Sequence, residues 1–152
     1  IAEKLLMPLF MEKCCCPYED EHISIVEIDT KTRKVRLASA KRPVYLFING
    51  ELNVYKGIRR SVGDSIIEDE SEFVNIEYDM NENDALYLFS DGYSDQFGGP
   101  EGKKYMSANI RKLLLDIYKK PMREQEELIH TTFQQWKGNE EQVDFIMTKI
   151  LI

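Results

Sequence analysis

Pro43-Val44-Tyr45-Leu46-Phe47-Ile48-Asn49-Gly50-Glu51-Leu52-Asn53-Val54-Tyr55 is made of two apolar-rich runs separated by Asn-Gly. That pair most readily supplies the two positive φ angles of a type I′ turn, whose twist matches the strands it joins. The stretch therefore predicts a β-hairpin, Pro43 to Ile48 against Glu51 to Tyr55. Before it, Ile23, Ile25, Val26 and Ile28 crowd into His22 to Ile28, and polar Asp29 to Lys34 leads into Val35 to Ala40. This predicts an earlier hairpin. After it, a charged loop from Gly57 to Glu70 leads to Phe73 to Tyr78 and Ala85 to Phe89, joined by the polar turn Asp79 to Asp84. Continued antiparallel pairing is the expectation there.

Helical spacing appears on both sides of this strand-rich region. Leu5, Leu6, Leu9 and Phe10 form a stripe within Ile1 to Cys16, with Pro8 as a kink and Pro17 as a stop. Ile110, Leu113, Leu114 and Ile117 form another behind Ser107 as a cap, predicting a helix that covers the sheet. A further helix starts at Pro121, carries Ile129, Phe133 and Trp136, and ends at Gly138. Val143 to Ile152 reads as a closing strand. Meandering strands followed by helices argue for an α+β domain.

The 152 residues suit one domain. A formal charge of −7 repels a polyanion, so nucleic acid is not an expected partner. No apolar run approaches the roughly 20 residues that cross a bilayer, so neither a membrane segment nor a cleaved signal is expected. Cys14, Cys15 and Cys16 are consecutive, which suits neither a disulfide framework nor a zinc spacing. Reduced thiols fit a cytoplasmic location. The chain opens on Ile1 within a helical pattern, the expectation for a fragment of something longer.

Two carboxylates stand out. Asp91 follows the run Ala85 to Phe89, and Gly92 lets the chain turn beside it. It reads either as a turn aspartate bonding nearby amides or as a group presented for chemistry. Asp144 stands among Val143, Phe145, Ile146 and Met147. A lone buried carboxylate is costly, so Asp144 is paired, hydrogen-bonded, at the exposed start of its strand, or bound to a metal. Antiparallel neighbours would bring both carboxylates to one edge. His22 and His130 have no metal spacing and read as surface or structural groups. Tyr93 and Trp136 read as packing residues.

Leu86-Tyr87-Leu88-Phe89-Ser90-Asp91-Gly92-Tyr93-Ser94-Asp95-Gln96, then a helical pair, then Gln142-Val143-Asp144, resembles the C-terminal part of SpoIIE-like phosphatases. These belong to the PPM superfamily of metal-dependent protein serine/threonine phosphatases. Asn49-Gly50-Glu51-Leu52 and Ala38-Ser39-Ala40-Lys41-Arg42-Pro43 carry the same resemblance, which runs from about Tyr18 to the C-terminus.

The resemblance implies an antiparallel β-sandwich flanked by helices, incomplete at its N-terminus, with two divalent metals held by carboxylates. Asp91 matches the metal-ligating aspartate of the family's Asp-Gly motif. Asp144 matches the first residue of its closing acidic pair, while Phe145 stands where the second member would be. Mn²⁺ or Mg²⁺ would take oxygen ligands and promote attack of water on a phosphoryl group, without a protein nucleophile. The family's Gly-Gly-Asp-like strand and Asp-Val-Ser-Gly-like turn, whose Asp-Gly bridges both metals, are missing from residues 1–152. Gly63-Asp64 lies in the long loop, where the resemblance puts no ligand, and reads as a turn.

Two functions follow. One is a piece of a metal-dependent phosphatase acting on phosphoserine or phosphothreonine of a regulatory protein in bacterial signalling, with a sensor domain upstream and weak or no metal binding and activity in the piece alone. The other is a non-catalytic phosphatase-like module that binds a partner or transmits a signal. Missing strands leave open edges, so the chain is expected to pair with a second copy as a homodimer or to cover them with its N-terminal helix.

Overall fold

The computed structural model describes residues 23–59 and 74–152. The helix expected over Ile1 to Cys16, the three cysteines, His22 and Gly63-Asp64 lie outside the described residues. The chain divides into two units, one comprising the residues up to Leu88 with Lys149–Ile152 and the other Phe89–Thr148.

The described strands of the first unit form two antiparallel groupings. Strands β1 (Ile23–Asp29), β2 (Lys34–Ala40) and β5 (Ile76–Asp79) make a sheet in the order β1-β2-β5. Strands β3 (Val44–Ile48), β4 (Glu51–Tyr55), β6 (Ala85–Phe89) and β9 (Met147–Leu151) make a sheet in the order β4-β3-β6-β9. The Asn-Gly hairpin forms as expected: Ile48 pairs with Glu51, and Asn49 and Gly50 take φ of 52° and 82°. The first hairpin also forms, with Ile23 opposite Ala40 and Asp29 opposite Lys34.

The third expected pairing does not form. β5 pairs with β2, Leu37 opposite Ile76, whereas β6 pairs with β3, Val44 opposite Leu88, so the turn between them carries the chain from one sheet to the other. Buried Asp84 is the physical reason. Its carboxylate accepts from Asn49 N and Asn81 N, both at 2.7 Å, tying this turn to the Asn-Gly turn. On the other side, Met80 N donates to Arg33 O at 3.0 Å and prolongs the attachment to β2.

Val35 and Leu37 from one sheet meet Val44, Leu46 and Leu86 from the other, with Met80 beside them, in a fully buried cluster. The period-two pattern of each strand puts these side chains on one face. Each such aliphatic side chain contributes about 1.5–3 kcal/mol on burial.

The second unit contains the helical turn α1 (Gly92–Asp95), the short strands β7 (Phe97–Gly98) and β8 (Lys103–Lys104), and helices α2 (Met106–Ile117) and α3 (Met122–Lys137). The helical stripes are buried as expected at Ile110, Leu113, Leu114, Ile117, Ile129 and Phe133, and Trp136 is half-buried. Ser107 is inside α2, and Pro121 caps α3 without entering it. Buried Gln125 closes the end of the preceding helix, donating to Tyr118 O and Lys120 O, carbonyls that a helix end leaves without partners. Gly138 ends α3 with φ 55°. The closing strand begins at Met147, not Val143; residues 141–146 belong to neither helix nor strand. Among the described residues no helix is long and apolar enough to cross a membrane.

Candidate metal-binding edge at Asp91 and Asp144

Asp91 is the cap residue of α1 and is exposed. Its carbonyl accepts from Asp95 N and from Ser94 Oγ, both at 2.9 Å, which closes the turn through backbone and leaves its side chain out of the capping.

Asp144 is also exposed, and its segment is drawn against that turn from both ends. Ser90 N donates to Ile146 O and Ile146 N donates to Ser90 Oγ, each at 2.9 Å. Val143 N donates to Gln96 Oε1 at 2.8 Å, and Gln96 Nε2 donates to Glu141 O at 2.9 Å. Ser90 thus faces Ile146 while Gly92 faces Asp144, so the two segments that carry the aspartates run past each other in opposite directions. Gly92 permits this approach: a β-carbon there would lie 2.0 Å from Asp144 O.

An aromatic cluster supports the segment from beneath. Phe145 lies 4.8 Å from Tyr93 and 4.5 Å from Phe133, ring centre to ring centre, and Tyr93 also meets Phe89 and Tyr105. Such pairs contribute about 0.5–1.5 kcal/mol beyond the area they bury. Tyr93 is fully buried and donates to Ile129 O at 2.9 Å. Burial first, and then the neighbouring Tyr105, push its hydroxyl far above the usual phenol range. Tyr93 is therefore a neutral packing residue. Phe145, which the resemblance sets at the family's second acidic position, has its ring packed in this cluster.

Asp95 is drawn away by Lys104 at 3.2 Å, and His130 is exposed on α3. Among the described residues no group of three or more His, Cys, Asp or Glu side chains could hold a metal ion. The carboxylates of Asp91 and Asp144 are oxygen donors of the kind a hard divalent cation takes, and two of them fall short of a full set. The roles of Ser90 and Gln96 were not evident from sequence. Gln96 reaches partners 45 and 47 positions away, so nothing in its local pattern signals them.

No curated protein sequence matches the chain. Among solved structures, the SiaA-PP2C domain of Pseudomonas aeruginosa aligns with TM-score 0.75 and 28% identity over 86% of this chain and 51% of that one. The phosphatase domain of the cell fate determinant SpoIIE from Bacillus subtilis, presoaked with Mn, aligns with TM-score 0.69 and 12% identity over 99% of this chain and 64% of that one. The catalytic domain of the serine threonine protein phosphatase PstP, in complex with 2 manganese ions, aligns with TM-score 0.58 and 14% identity over 97% of this chain and 64% of that one. The chain thus spans about half to two thirds of the length of these three structures. The model of the family Stage II sporulation protein E (SpoIIE) matches residues 22–149. With a PP2C-type α+β fold of antiparallel sheets and helices, the chain belongs to the SpoIIE family.

Proposed function

We propose that residues 1–152 are the C-terminal portion of a PP2C-type phosphatase domain that hydrolyses phosphoserine or phosphothreonine of a regulatory protein in cytoplasmic signalling. The reading is carried by the juxtaposition of Asp91 and Asp144 on segments stitched together through Ser90, Gly92 and Gln96. In the complete domain these two carboxylates hold Mn²⁺ or Mg²⁺ together with donors from outside residues 1–152. Divalent cations supply charge stabilisation at the phosphoryl group and make water more acidic. This chain's residues fix where the cations sit: Ser90 and Gln96 hold the Asp144 segment, Phe145 anchors it from below, and the Asp91 turn is closed by its own backbone.

The absence of a three-carboxylate group among the described residues, with Phe145 in the second acidic position, favours a second reading: a phosphatase-like module that binds a partner without catalysis. The two separate on phosphate release from a phosphoserine peptide by the full-length protein containing residues 1–152, in Mn²⁺. The enzyme reading expects release that Asp91→Asn abolishes. Absence of release from the wild type, or undiminished release after the substitution, favours the binding module.

A further inference from the structure

Gln96 is fully buried, and its polar groups bond within the fold. Its carbonyl accepts from Tyr105 N at 2.9 Å and from Trp136 Nε1 at 3.1 Å, fixing its backbone in the unit that carries Asp91. Its side chain does something different. Oε1 accepts from Val143 N, and Nε2 donates to Glu141 O and to Phe97 O. The partners settle the orientation of the amide, because a backbone N–H can only donate and a carbonyl can only accept.

The stretch 141–146 has no helix or strand of its own to hold it. Gln96 grips it one and three residues before Asp144, and Ser90 grips it two residues after. Gly92 lies against Asp144 itself, between the two grips. A primary amide suits the Gln96 grip because it offers an acceptor and a donor side by side to a backbone N–H and a backbone carbonyl.

We propose that Gln96 is a positioning residue for divalent metal binding: its amide sets the register of the Asp144 segment against the Asp91 turn, and metal affinity depends on that register. The inference rests on the reading of Asp91 and Asp144 as metal ligands. Trp136, which bonds the Gln96 backbone and not its amide, provides the structural control.

The test is Mn²⁺ titration of the full-length protein, followed by electron paramagnetic resonance, together with thermal unfolding and amide exchange at Val143. The variants are Gln96→Met, similar in length without the amide; Gln96→Glu, which keeps an oxygen facing Val143 N; and Trp136→Phe. The expected result is about tenfold or greater weakening of Mn²⁺ binding in Gln96→Met, in line with losses on removing groups that orient metal ligands. Val143 should exchange faster in that variant, and Gln96→Glu should fall between it and the wild type. Trp136→Phe should lose thermal stability while its Mn²⁺ affinity stays near that of the wild type. Unchanged affinity in Gln96→Met, or equal weakening in Trp136→Phe, overturns the positioning role. Should Gln96→Met fail to fold, unchanged affinity in Gln96→Glu overturns it instead. A wild type that takes up no Mn²⁺, or whose affinity survives Asp91→Asn, removes the metal reading and this inference with it.

Discussion

Gly92 and Asp144 are pressed together backbone to backbone, so closely that a β-carbon on Gly92 would lie 2.0 Å from the Asp144 carbonyl oxygen and 2.9 Å from its carbonyl carbon. The obstruction is main chain, which cannot swing away as a flexible side chain would. A glycine after Asp91 is thus required by the neighbouring segment and not by the turn, where Gly92 is helical and has no positive φ.

Gly92→Ala should force the two segments apart. The expected cost is about 1–3 kcal/mol or more, the range for overpacking a close contact. Urea unfolding measures it. A variant as stable as the wild type would show that the segments separate freely.

Asp84 should matter to stability. Asp84→Ala removes two part-buried hydrogen bonds, from Asn49 N and Asn81 N; bonds to a charged acceptor contribute about 1.5–3 kcal/mol each, less where water replaces the acceptor. A loss of about 2–4 kcal/mol is expected from chemical denaturation. Asp84→Asn retains one acceptor oxygen and should lose less. Equal stability of all three proteins would contradict the pinning role.

High pH should unfold the second unit through its tyrosines. Burial raises the hydroxyls of Tyr93 and Tyr105 above the usual phenol value, so the fold favours their neutral forms. That contribution is fully present below pH about 10, the unfolded value, and is lost as pH rises through the folded one. Tyrosinate absorbance should therefore show delayed ionisation that coincides with unfolding, and Tyr93→Phe should weaken the delay. Simple titration of all eight tyrosines near the unfolded value, with the fold intact, would contradict this.

Local chemistry explains which parts of the fold were legible in the sequence. Asn49-Gly50 carries its own turn geometry, and the stripe Ile110, Leu113, Leu114, Ile117 carries its own periodicity. The polar run Asp79 to Asp84 looks the same whether it closes a hairpin or crosses between sheets; the outcome depends on Asp84 finding Asn49 N, 35 residues earlier. Asp91 and Asp144 could be singled out from a turn glycine, an apolar context and a family resemblance. Phe145 could not be recognised as the anchor of their segment, because Tyr93 and Phe133 become its neighbours only in the fold.

Asp91 and Asp144, on the function proposed above, bind the same metal centre. Anomalous diffraction at the manganese edge, from crystals of the full-length protein grown with Mn²⁺, tests it most directly. Anomalous peaks are expected with oxygens of both carboxylates in the first coordination sphere, at about 2.0–2.2 Å given the short bonds of small hard cations. Manganese bound elsewhere, with neither carboxylate coordinated, would contradict it.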